Sequence, residues 1–169
     1  MEDEPIVIRY PRIPPTGEDF LAGKIQGEIN KHYSREFNFE DGLAIAREIY
    51  NGFDIIETFK KHDIPESQYS NLLKDIDIHF YIALSTALER IYEEMHEDDE
   101  NQSEYINNFF DKLHFTENPL ELFKESDIPK SEYADLLKKT DLYKKALFVK
   151  ITQNIIEKLP LFFSESTPS

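Results

Sequence analysis

One stretch of this 169-residue chain is written twice. Glu57, Phe59, Lys60, Asp63-Ile64-Pro65, Ser67, Tyr69, Leu72-Leu73-Lys74 and Asp77 return sixty-four positions later. There they are Glu121, Phe123, Lys124, Asp127-Ile128-Pro129, Ser131, Tyr133, Leu136-Leu137-Lys138 and Asp141. Upstream, Ile45 and Ile49 correspond to Phe109 and Leu113; downstream, Ile78 corresponds to Leu142. Self-similarity at a fixed period marks a repeated supersecondary unit, so the chain must build the same small motif twice.

The periodicity inside each copy is helical. Leu43, Ile45, Ala46, Ile49 and Tyr50 share one apolar face that Asn51-Gly52 ends. Asp54 is placed to cap a helix carrying Ile55, Ile56 and Phe59, which breaks at His62-Asp63. Pro65 suits the start of a short helix, Ser67 to Lys74, with Tyr69, Leu72 and Leu73 inside. Asp77 is then expected to cap a long helix from Ile78 to Met95. Along it Tyr81, Leu84, Leu88, Ile91 and Met95 recur at spacings of 3, 4, 3 and 4, a heptad seam suited to a partner helix and to oligomerisation.

Two short helices joined by a tight turn form a helix-turn-helix, with the turn isoleucine pointing inward. The expected fold is therefore all-α: two tandem helix-turn-helix-like units joined by a long helix, with an extended N-terminal arm. Residues 1–40 form the arm and a short helix, where Pro5, Pro11, Pro14 and Pro15 punctuate Ile6-Val7-Ile8. Gly17, Gly23 and Gly27 weaken any helix anchored by Phe20, Leu21 and Ile25. The first unit spans 41–95, an acidic hinge 96–104, the second unit 105–160 and a polar tail 161–169.

The stretch FKKHDIPESQYSNLLKDIDIHFYIALSTALE resembles the helix-turn-helix of bacteriophage terminase small subunits and related phage regulators. The resemblance rests on Ile64, Ser67, Tyr69, Leu72, Leu73, Asp77 and Ala83-Leu84. The second copy supplies Ile128, Ser131, Tyr133, Leu136, Leu137, Asp141 and Ala146-Leu147. The turn glycine common in that family is here Asp63 and Asp127, and its frequent tryptophan is Leu72 and Leu136. Such membership implies a ring-forming, non-enzymatic subunit that recognises viral double-stranded DNA and regulates a large motor ATPase.

The charge is unevenly spread. The chain carries 34 acidic and 19 basic residues, a net −15, so its average field repels phosphates. Residues 41–95 and 96–118 each carry −6, whereas residues 119–169 carry none. In that last part Lys138, Lys139, Lys144, Lys145 and Lys150 have only Asp141 among them. Lysines beside a helix-turn-helix can hold phosphates while polar groups read bases. The expected DNA contacts are Ser67, Gln68, Asn71 and Lys74 in the first unit. In the second they are Lys130, Ser131, Lys138, Lys139, Lys144 and Lys145.

Other chemistries have less to stand on. No cysteine is present, which removes disulfides, thiolate nucleophiles and cysteine zinc sites. Gly17 to Ile25 lacks the spacing and the Ser or Thr of a phosphate-binding loop. His32, His62, His79, His96 and His114 never pair at i, i+4 and read as scattered surface residues, so no metal or other cofactor is expected. No apolar run suits a membrane, and the acidic start Met1-Glu2-Asp3-Glu4 is unlike a secretory leader, so the expected location is the cytoplasm.

Two functions compete. The first is DNA recognition and assembly in viral genome packaging. The second is an acidic protein-interaction module, such as an adaptor, anti-repressor or DNA mimic, with no DNA contact. Neither is an enzyme.

Overall fold

A computed structural model describes residues 17–32, 37–97 and 100–166, with side chains through residue 159. The expected N-terminal arm over residues 1–16 lies outside them. The described chain is all-α: α1 (Glu18–His32), α2 (Phe39–Tyr50), α3 (Ile55–Lys61), α4 (Tyr69–Met95), α5 (Gln102–Leu113), α6 (Pro119–Glu125) and α7 (Tyr133–Ser166). A single 3-10 turn precedes each of the two long helices, at Glu66–Gln68 and Lys130–Glu132. The second half thus repeats the first: α2, α3 and α4 correspond to α5, α6 and α7. No described helix is long and apolar enough to cross a membrane.

Local chemistry sets the helix ends. Asn38 and Asp41 form a reciprocal capping box on α2, and the Asp54 side chain accepts the Glu57 amide at the start of α3. Helix α3 ends in a Schellman turn: the Asp63 amide donates to Lys60, the Ile64 amide to Phe59, and Asp63 takes φ 57°. The second copy does the same at Asp127 (φ 58°), with Ile128 donating to Phe123. In both, the isoleucine is buried beside the buried phenylalanine. The acidic residue in place of glycine therefore keeps the left-handed turn. Aspartate tolerates that region better than most side chains.

Three expectations need correction. Ser67 lies in the 3-10 turn, and Tyr69–Lys74 and Ile78–Met95 are parts of the continuous α4, so no free-standing recognition helix exists among the described residues. The reason is the unbroken apolar period Leu72, Leu73, Ile76, Phe80, Ala83 and Leu84, which is buried throughout. Asp77 is accordingly not a cap; it is buried mid-helix, and its carboxylate accepts Lys150 Nζ at 2.6 Å. The short helix expected in the glycine-bearing segment is the longer, 15-residue α1. Leu21, Ala22, Ile25 and Ile29 are all buried, and a Cβ at Gly23 or Gly27 would meet nothing. Helix α7 continues to Ser166, past the expected start of the tail at residue 161.

The two units lie head to foot. Ser70 donates to Glu157 at 2.6 Å, Lys150 reaches Asp77, and Arg90 reaches Glu132 at 2.7 Å. Low numbers on α4 meet high numbers on α7, so the two long helices run antiparallel. One hydrophobic core runs through both units, from Leu21 and Ile45 to Phe123 and Tyr143. The repeat is therefore not a string of two beads.

Candidate protein-interaction site

The residues expected at DNA are scattered by this arrangement. Ser67, Asn71 and Lys74 are exposed at the start of α4. Lys130 and Ser131 are exposed beside Glu132, which pairs with Arg90 near the other end of α4. Twenty residues of helix separate Ser70 from Arg90, roughly 30 Å. Gln68 is not exposed as expected: it is 93% covered, and its Oε1 has no hydrogen-bond partner among the described residues.

Most of the lysine cluster is already in use. Lys139 pairs with Asp135 on the next turn of α7. Lys144 donates to the Thr116 carbonyl at 2.9 Å. Lys145 donates to the carbonyls of Gly52 and, at 3.2 Å, Phe53, where α2 ends. A cation just past a helix C-terminus also faces the negative end of its dipole. Lys150 is held by Asp77. Of the five, Lys138 alone is exposed with no partner among the described residues. These side chains join units of one chain, a role that charge counting along the sequence does not show.

The heptad seam is likewise spent internally. Leu84, Leu88 and Ile91 are buried in the core of one chain and Met95 is half-buried against it, so they are not the surface of an oligomer. Only Tyr81 stays open, its ring 4.6 Å from that of Phe110 on α5. The partner helix that the seam called for belongs to the same chain. The histidines also depart from expectation in one case, since His79 is fully buried.

Among the described residues an acidic groove of about 450 Å³ lies where the end of α4, α5 and the end of α6 meet. Its walls are aromatic: the Tyr92 and His96 rings lie 4.3 Å apart, and Tyr105 lies 5.2 Å from Tyr92. The Tyr105 hydroxyl donates to the Ser126 carbonyl at 2.7 Å, which ties α5 to the α6 turn. Burial, helped by Asp127, pushes that phenol up to about 12, so it stays neutral. Glu104, Glu125 and Asp127 line the groove against one cation, Lys112.

The repeat sharpens what is special here. The first-unit counterparts of Lys112, Glu125 and Ser126 are Glu48, Lys61 and His62. There Lys61 binds Glu48 at 2.7 Å and His62 lies 3.3 Å from it, and the lysine's hydrogen bond holds the Glu48 carboxyl below its ordinary value. In the second unit the charges are exchanged. Aromatic faces and carboxylates together attract a cation, particularly the flat guanidinium of arginine. The groove was not found from sequence because its parts come from three separated segments. Among the described residues, no group of three or more His, Asp or Glu is arranged to hold a metal ion.

No protein-family model matches the chain, and no curated protein or solved structure matches it.

Proposed function

We propose that this protein is a non-enzymatic, acidic interaction module that holds a basic segment of a partner protein. The observation that supports it best is the aromatic-walled groove rimmed by Glu104, Glu125 and Asp127. The net charge of −15 adds support, because the average field of the chain attracts cations.

The test is a titration with an arginine-rich peptide at low and high salt. Binding should weaken with salt and fall about tenfold or more in Glu104→Lys with Glu125→Lys. Undiminished binding in that double variant would remove the groove from consideration.

DNA recognition and assembly in viral genome packaging, in the manner of a terminase small subunit, is a second reading. It is favoured by the exposure of Ser67, Asn71, Lys74, Lys130, Ser131 and Lys138 beside two identical turns. Salt-sensitive capture of duplex DNA, lost in Lys74→Glu with Lys138→Glu, would support it over the interaction module.

A further inference from the structure

A second groove adjoins the one at Tyr92 and Tyr105. It holds about 420 Å³ between α5 and α6, and Phe115 and Leu122 line it. Lys112 and Glu125 line both grooves, so the two share a wall. Together they set five carboxylates, Glu104, Asp111, Glu121, Glu125 and Asp127, against one lysine.

Phe115 gives the second groove its apolar edge. It is 90% exposed just past the end of α5, above the buried Leu122. Its counterpart sixty-four positions earlier is Asn51, which caps the end of α2. The repeated fold closes this turn with a polar residue and has no need of a phenylalanine there. A large ring left in water beside an apolar floor gains from any apolar side chain that covers it.

The lining also selects the shape of the ligand. Asn101 and Asn108 belong to the first groove. Their amides both donate and accept, which suits the open peptide groups of an extended segment; a helix has already paired its own. Tyr105 and Phe115 are ten positions apart, roughly 15 Å along α5. An extended chain spans that distance in about four or five residues.

We propose that the basic segment held by this protein lies extended across both grooves. An arginine sits against Tyr105, and a large apolar residue about four or five positions away covers Phe115. This rests on the proposed function and adds to it the second contact and its spacing. The carboxylates draw the segment in, and the apolar contact fixes its register.

Labelled peptides titrated against the full chain test it. Each carries a pair of arginines in a Gly-Ser background. The series places one Phe, or Ser in its stead, next to the pair, about five positions away or about ten, on either side. Phe at the middle spacing, on one side, should tighten binding about tenfold over Ser. At the other spacings it should add little. Phe115→Ser should abolish that gain and leave the Ser peptide's affinity unchanged. The ring is exposed, so unchanged circular dichroism serves as the folding control. Glu104→Lys should weaken all the peptides alike. Binding of the Ser peptide with no gain from Phe overturns this proposal alone. So does a gain equal at every spacing, or one that survives Phe115→Ser; in each case the basic-segment reading stands. Failure of every peptide to bind overturns both.

Discussion

The Tyr50 hydroxyl lies 2.6 Å from Nε2 of His79, and sixty-four positions on the same hydrogen bond is made with the residues exchanged: His114 Nε2 lies 2.9 Å from the Tyr143 hydroxyl. The duplicated fold has kept the interaction and traded its ends. Burial pushes the Tyr50 hydroxyl well above the ordinary range for a phenol, and it pushes Tyr143 up to about 12. Both phenols therefore stay protonated, and each shares a hydrogen bond with its imidazole.

The exchange gives a first prediction. Tyr50→Phe should cost about 1–2 kcal/mol, the price of stripping a hydrogen bond from a buried ring nitrogen. The double variant Tyr50→His with His79→Tyr should cost less than the sum of its single changes, since it rebuilds the arrangement of the second unit. Urea unfolding of the four proteins measures this, and strict additivity would count against it.

Asp127 sits at φ 58° in a left-handed turn. Asp127→Gly should stabilise the chain by roughly 0.5–1 kcal/mol by relieving that conformation, and Asp127→Ala should not. A urea midpoint that moved equally for both would show that backbone conformation is not what the turn responds to.

Gly42 marks the closest approach of two helices. A Cβ there would lie 2.6 Å from the Ala22 carbonyl oxygen, a backbone atom of α1 that cannot swing aside. Gly42→Ala should therefore destabilise by about 1–3 kcal/mol despite its gain in helix propensity. Gly23→Ala, whose Cβ would meet nothing, should be neutral or stabilising. Thermal unfolding distinguishes them by the sign of the shift.

Acid should loosen the join between the units. The hydrogen bond from Arg90 holds the Glu132 carboxyl below its ordinary 4.5. A carboxylate whose folded value is lowered contributes stability above about pH 4.5, and that contribution is lost as pH falls through the lowered value. Arg90 is half exposed, so the pair contributes no more than about 1 kcal/mol. Glu132→Gln should lower the urea midpoint at neutral pH, and the gap from the parent protein should close in acid.

The helical class, the repeat and its turns were legible because they are local. Asp54 caps as its type suggests, and Ile64 and Ile128 turn inward as the break demands. What was not legible depends on contacts between distant segments. Asp77 looks like a helix cap until Lys150 is seen beside it. Lys144 and Lys145 look like a phosphate patch until their carbonyl partners at Thr116 and Gly52 are known. Leu84, Leu88 and Ile91 asked for a partner helix, and periodicity carries no information on whose helix it is. The groove at Tyr92 and Tyr105 escaped for the same reason, since its walls meet only after α4 and α5 fold together.

The head-to-foot pairing of α4 and α7 also governs how the chain reaches its native state. Ser70 and Glu157, which close one end of that pair, are separated by 87 positions. During translation the first unit emerges with Leu84, Leu88 and Ile91 in water, and it cannot finish its own core before α5 and α7 are made. Long-range pairing of this kind costs loop-closure entropy before it is rewarded, and the shared core ties the two copies together. The duplication thus delays folding until most of the polypeptide has been synthesised, and the nascent first half is the stage most in need of protection from aggregation.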